Sequence, residues 1–306
     1  MNWLSAPASA EASRLAEVGW VLIALAGALF VFTMALLAYA LGRRPGPVSA
    51  ARWTIGLGIA FPATVLSVLL VYQVGRTAGL ERAPSADPLV VSVTGHLWWW
   101  EVHYRDPRTG RWIALANELH LPAGRSAQIG LASADVIHSF WVPTLGGKMD
   151  LVPGRVNRLV VTPLRTGVQR GVCAEFCGTQ HALMALHVVV EEPAAFERWL
   201  AAQAADAATP RDALALRGRA AFFEQGCAGC HAVRGVAAGS GLGPDLTHVG
   251  SRRQLAAGTR PLDRDTLAAW IADPQQWKPG ARMPSYGDRL DDESLQALAA
   301  YLVQLE

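Results

Sequence analysis

Residues 173–184, CAEFCGTQHALM, bring two thiols, an imidazole and a thioether into one short stretch. Cys173 and Cys177 lie four apart, His181 follows four later, and Met184 three after that. Zinc accepts thiolate and imidazole but has no use for a thioether, so sulfur with imidazole and methionine points to copper. A single-copper electron-transfer site needs one Cys, two His and a weak Met. The second Cys allows two thiolates to bridge two copper ions, each completed by one His and one weak ligand. A second His must then come from elsewhere. His138, in ADVIHSFWVP, sits at a strand end ahead of Pro143 and is the candidate. The alternative is a Cys173–Cys177 disulfide, since exported thiols often pair, but that leaves the histidines and Met184 without a purpose.

The remaining cysteines lie in GCAGCH, as Cys227 and Cys230 followed by His231. C-x-x-C-H is the signature of covalent haem c attachment. The thiols bond the porphyrin vinyl groups and His231 takes the iron from one face. A zinc or redox reading of the same pair gains nothing from the adjacent His, and no further C-x-x-C follows to complete a zinc site. The sixth iron ligand is a choice between Met283, the only downstream methionine, and His248. Met283 lies in the Pro/Gly-flanked loop KPGARMPSYG, and His/Met ligation raises the reduction potential, which favours Met283. His96, His103, His120 and His187 fall within apparent strands and read as packed or solvated.

These groups need elements to position them. The chain has 306 residues, 51% of them hydrophobic, and the excess is local. Residues 18–42 and 53–75 carry no charge, and each run exceeds the ~20 residues that cross a bilayer as a helix. Pro62 is expected to kink the second. The loop between them holds Arg43, Arg44 and Arg52 without an acid, so it faces the cytoplasm. The outer flanks mix signs: Glu11, Arg14 and Glu17 before the first helix, Arg76, Glu81 and Arg82 after the second. The rest of the chain is therefore exported. SAPASA, residues 5–10, resembles the end of a signal peptide, but no charged start or apolar core precedes it.

Beyond the helices, short runs rich in β-branched and aromatic residues alternate with Pro/Gly turns: LVVSVTGHLWWWEVHY, RWIALANELHLPAG, SAQIGLASADVIHSFWVP, RVNRLVVTPL and ALHVVVEE. They predict a β-sandwich or small barrel. Three consecutive tryptophans, Trp98 to Trp100, cannot all face inward on one strand, so at least one lies at a surface or interface. From Pro193 an Ala-rich helix fades into a linker, and TLAAWIAD and ESLQALAAYLVQLE show helical spacing. The expected division is an exported N-terminal segment (1–17), transmembrane helices (18–42 and 53–75), a copper-bearing β domain (88–192), a helix and linker (193–211) and an all-α haem domain (212–306). Net charge is +2 and evenly spread, with no basic stripe for nucleic acid.

Taken together, CAEFCGTQHALM, DVIHSFWVP, KMDLVPGRVN and GHLWWWEVHY after two membrane helices resemble subunit II of the haem–copper cytochrome c oxidases. The fused haem domain resembles the caa-type members. The resemblance covers nearly the whole chain. It implies a cupredoxin-like β domain with a dinuclear copper centre (CuA) held by His138, Cys173, the Glu175 carbonyl, Cys177, His181 and Met184. It further implies a magnesium ion shared by the Glu175 carboxylate with subunit I, and Trp98 as the point where electrons enter from a cytochrome c. The implied setting is the bacterial inner membrane, with both metal domains on the periplasmic face. The catalytic oxygen site then belongs to subunit I, and no catalytic residue lies in this chain. Many members carry a glutamate about two turns before the second helix's proline; here Ile55 stands there, so that proton-path role does not transfer. Glu11 or Glu17 could stand in, although acids there more often mark a membrane edge.

Three rivals share parts of this pattern. The corresponding subunit of a copper-containing nitric oxide reductase would keep the copper loop beside a different catalytic chain. A membrane-tethered copper carrier would need an exchangeable site and no haem, which Cys227–His231 opposes. A quinol-oxidase subunit II is disfavoured because the copper ligands stand intact.

Overall fold

The computed structural model describes residues 4–44, 46–78 and 87–306; Glu81 and Arg82, used above for topology, lie outside them. Helix α1 (Ala10–Gly42) is capped by Ser9, whose hydroxyl accepts from the Ala12 amide at 2.9 Å. It begins well ahead of the uncharged run, so its first turns lie in the segment assigned above to the exported N-terminus. At 1.5 Å per residue its 33 residues reach about 50 Å, more than a bilayer core requires. The surplus turns pack on the β domain, where Ala12 and Ala16 are buried.

The second hydrophobic helix starts as wide π-type turns (Arg52–Ala60) and continues as α2 (Phe61–Thr77). The Phe61 amide bonds the Gly56 carbonyl, five residues back, immediately before Pro62. The interruption expected at the proline thus takes the form of a change in helical register. Both apolar helices are uncovered along their most hydrophobic windows and long enough to cross a membrane. Phe32 meets Phe61 at 6.0 Å, and Glu17 pairs with Arg76.

The β domain is a sandwich of two five-stranded sheets. One contains β1 (Leu89–His96), β2 (Trp99–Arg105), β3 (Trp112–Ala116), β5 (Ala127–Ser133) and β8 (Asn157–Val161), in the order β3-β2-β1-β5-β8. The other contains β4 (Glu118–Pro122), β6 (His138–Trp141), β7 (Met149–Leu151), β9 (Gly167–Cys173) and β10 (Ala185–Glu191), in the order β4-β10-β9-β6-β7. Alternation drives the packing: Leu89, Val91 and Val93 point into the core with Ile129, Leu131, Leu119 and Leu186. The stretch 89–104, read as one strand, is a hairpin broken at Leu97–Trp98. Two strands lacked a clear sequence signal. β7 is only three residues long, and β9 (GVQRGVC) buries just Gly171 and Cys173.

SAPASA is tied to the sandwich. The Ala8 amide donates to the Thr144 carbonyl at 2.7 Å, the Leu164 amide to the Ala8 carbonyl at 2.7 Å, and the buried Ser9 hydroxyl to Leu145. The Glu11 carboxylate accepts from the Thr162 amide at 2.9 Å. Glu11 is thus a structural tie and Glu17 an ion-pair partner.

Helix α3 (Pro193–Gln203) lays Phe196, Trp199 and Leu200 against the sandwich. The following linker is pinned, since Arg234 donates to the carbonyls of Gln203 and Ala205 and accepts from the Ala207 amide through its own carbonyl. The C-terminal domain packs α4 (Ala213–Glu224), α5 (Arg264–Ala272) and α6 (Asp292–Val303), capped by Asp212, Asp263 and Asp291. α4 crosses α6 at Gly218, where a Cβ would lie 1.9 Å from the Ala297 carbonyl oxygen; only glycine permits that approach.

Candidate metal centres

The first centre forms where β6 ends beside the loop joining β9 to β10. The loop's ends are fixed by the Cys173 amide on the Met184 carbonyl (2.9 Å) and the Ala174 amide on the Ser139 carbonyl (2.9 Å). Its middle is held by Trp98, whose indole N–H donates to the Cys177 carbonyl at 2.8 Å. The Cys173 and Cys177 sulfurs are free and 3.8 Å apart, with no disulfide. His138 Nδ1 lies 3.9 Å from Cys173 Sγ and His181 Nδ1 3.6 Å from Cys177 Sγ. Met184 Sδ is 3.9 Å from Cys177 Sγ, and the Glu175 carbonyl is 3.2 Å from Cys173 Sγ. His138, distant in sequence, thus joins the residues of the loop, and each sulfur has an imidazole and a weak donor near it.

Asp135 was not foreseen. Its Oδ1 accepts from His138 Nε2 at 2.8 Å, leaving Nδ1 to face the sulfur, while its Oδ2 takes the Leu97 amide at 2.8 Å. Such an acceptor fixes the ring and its tautomer for a metal. The spacing D-x-x-H could have suggested it. Gly95 makes room for the ring, since a Cβ there would lie 2.8 Å from His138 Cδ2. Burial works against charge on His138, but Cys173 and Asp135 outweigh it and raise its pKa.

The thiols share their remaining charge unequally. Hydrogen bonding from Cys177, with help from His138 and the neighbouring amides, pushes Cys173 far below the usual thiol range. The Cys173 sulfur and burial push Cys177 up. A thiolate, a second sulfur beside it, two imidazoles and a buried thioether fit a pair of soft copper ions. The Glu175 carboxylate points outward to Lys148 Nζ at 3.2 Å.

The second centre lies in the C-terminal domain. Cys227 and Cys230 are free thiols on one tight turn, and Cys230 is exposed. His231 Nδ1 faces the Pro244 carbonyl at 2.8 Å, leaving Nε2 available, and burial lowers its pKa so that the ring stays neutral. A fixed neutral imidazole beside two thiols suits a covalently attached haem. Met283 packs on the same core that Cys227 and Ala228 flank, and its carbonyl accepts from Gln275 at 3.2 Å. His248, the other candidate for the iron, is buried with Nδ1 2.9 Å from the Glu306 carbonyl and Nε2 3.0 Å from that of Ala205. Both its nitrogens face backbone carbonyls.

The other histidines stay apart from both centres. His96 stacks on Trp99 and meets Glu101 at 3.2 Å, while His103 lies 3.8 Å from Glu101. His120 stacks on Trp199 between Glu118 and Glu191. His187 lies beside Gly258. Among the three tryptophans Trp100 is fully buried, whereas Trp98 and Trp99 are half-buried. Trp98 is covered on one side by the C-terminal domain.

Two stretches of the chain match known families. Residues 107–192 match the family described as cytochrome C oxidase subunit II, periplasmic domain, and residues 215–306 match the cytochrome c family. Cytochrome c oxidase subunit 2 of Alkalihalophilus pseudofirmus is 34% identical over 275 residues, covering 86% of this chain and 78% of that one. The Bacillus subtilis protein of that name is 31% identical over 250 residues, covering 78% and 69%. The crystal structure of the periplasmic domain of subunit II of cytochrome oxidase from Bradyrhizobium japonicum aligns at 28% identity and a TM-score of 0.37, over 40% of this chain and 96% of that one. With a sulfur–imidazole loop on a β-sandwich and a C-x-x-C-H helical domain behind it, the chain belongs to the cytochrome c oxidase subunit 2 family, in the form fused to a cytochrome c domain.

Proposed function

We propose that this chain is the subunit through which electrons enter a respiratory terminal oxidase, on their way from a cytochrome c-type donor to the haem–copper subunit I that reduces oxygen to water. The observation that carries the reading is the pairing of Cys173 and Cys177 at 3.8 Å, each with its own imidazole. When bound, a CuA copper pair and a haem c supply one-electron carriers between donor and subunit I. His138, Cys173, the Glu175 carbonyl, Cys177, His181 and Met184 hold the copper pair. Cys227 and Cys230 hold the porphyrin, and His231 and Met283 the iron. Their shared task is stiffness. The donors are buried or anchored by backbone hydrogen bonds, so little has to reorganise when charge moves. The Glu175 carboxylate is assigned to magnesium at the subunit I face, where it would exchange Lys148 for the ion. The two apolar helices anchor the chain in the bacterial inner membrane with both metal domains in the periplasm.

Near-infrared absorption of the purified complex tests the copper assignment. A mixed-valence band that disappears in Cys177→Ser while covalent haem is retained is the expected result; one copper per chain without that band would overturn it. Oxygen consumption with reduced cytochrome c as donor tests the acceptor, and consumption of nitric oxide instead would assign the subunit to a reductase.

A further inference from the structure

Lys278 has only 4% of its surface exposed, and among the described residues no acidic side chain pairs with it. Burying an ammonium group without a counter-charge is costly, and such a group usually sheds its charge instead. Burial does depress Lys278, to about 8. Against that burial stand the pull of the Cys177 sulfur and one short hydrogen bond: Nζ donates to the Trp98 carbonyl at 2.5 Å, across the boundary between the C-terminal domain and the β-sandwich. The neighbouring positions reinforce that crossing. The Pro279 carbonyl accepts from Gln180 Nε2 at 2.8 Å, and Gly280 lies against the Trp98 ring. Gln180 is itself buried and precedes His181.

The loop that makes these contacts is rigid in its own right. The Lys278 amide bonds the Pro274 carbonyl, the Ala281 amide the Lys278 carbonyl, and the Gly280 amide Gln275 Oε1. Gln275 in turn holds the carbonyls of Ala281 and Met283. A set of hydrogen bonds therefore runs from the Met283 backbone through Gln275, the Ala281 backbone and Lys278 to Trp98, and from Trp98 to Cys177.

We propose that Lys278 is a positioning residue of the electron relay, a buried latch that seats the Met283 loop on Trp98 and fixes the haem domain over the copper loop. The inference rests on the relay reading above and adds to it a residue that sets the domains' relative position at the copper loop, beside the Arg170–Gly258 and Ala185–Ala257 contacts farther along the same boundary. At this point the docking is a buried contact with an uncharged carbonyl, so electron transfer between the two centres depends less on ionic strength than an encounter steered by surface charge.

The test uses the intact, metal-loaded complex and two measurements. The first is the rate of haem c to copper electron transfer after rapid photoreduction of the haem, at low and high salt. The second is hydrogen–deuterium exchange of residues 178–181 and 274–283. Lys278→Met is expected to slow transfer about tenfold and raise exchange in both segments by a similar factor, with haem content and the copper band unchanged. Gln180→Ala serves as a second variant with the same direction if Lys278→Met fails to load haem. Wild-type exchange and transfer rates in Lys278→Met would overturn the latch. Absence of transfer in the wild type would overturn the relay reading, while the exchange data would still decide whether Lys278 holds the domains together.

Discussion

Trp98 donates its indole N–H to the carbonyl of Cys177 at 2.8 Å, so the residue that contacts the haem domain is hydrogen-bonded directly to a residue of the copper loop. The same tryptophan accepts from Lys278 through its own carbonyl. Its ring therefore lies between Gly178 of the copper loop and Gly280 of the C-terminal domain.

Trp98→Phe keeps an aromatic ring in place but removes the N–H. The Cys177 carbonyl loses its donor while the sulfur ligands remain. Copper content and the near-infrared band should persist, and haem-to-copper transfer should fall by roughly tenfold, on the scale of one buried hydrogen bond. Flash-induced transfer kinetics on copper-replete protein check this.

Asp135→Asn should loosen the first centre without removing a donor to the metal. The amide can still hydrogen-bond the ring but no longer offers a charged acceptor to His138 Nε2. Loss of such an acceptor typically lowers metal affinity by about 10–100-fold. Competition with a copper chelator measures it, and covalent haem should be unaffected.

Met283 and His248 give opposite expectations. Met283→Leu should leave haem attached to Cys227 and Cys230 but shift its spectrum and lower its potential, because a thioether ligand stabilises the reduced iron. His248→Ala should leave spectrum and potential unchanged and lower thermal stability, since it removes a buried ring packed between the Ala205 and Glu306 carbonyls. Redox titration and a melting curve separate the two.

His120 predicts a pH dependence. Burial opposes its charge, but the Glu118 and Glu191 carboxylates outweigh burial and raise its pKa above the ordinary 6.5. A group raised on folding contributes stability that is complete below the unfolded value and is lost as pH rises through the folded one. Glu118 also accepts the Arg253 amide of the haem domain at 2.5 Å, so the loss should loosen that contact. Melting temperature should decline as pH increases beyond 6.5 toward the alkaline side, and His120→Gln should flatten that decline.

Much of this architecture was legible in the sequence because its signals are local. The uncharged runs, the alternation of Leu89, Val91 and Val93, and the helical spacing around Leu295 and Leu298 each depend on a few neighbouring residues meeting water or core. Cys173, Cys177, His181 and Met184 lie in one loop, and Cys227 to His231 in one turn, so their chemistry could be proposed from spacing alone. β7 and β9 could not, because one is very short and the other carries glycine and polar residues where a hydrophobic pattern would be sought.

Sequence alone thus determined the donor types on offer, the two classes of domain and the membrane-length helices, since composition and spacing decide hydropathy and donor chemistry. Tertiary structure decided which partners meet. It set Asp135 behind His138, turned both nitrogens of His248 to backbone carbonyls, tied residues 8–11 into the sandwich and brought Lys278 onto Trp98. Those contacts join elements distant along the chain, and their geometry exists only once sheets and helices have packed.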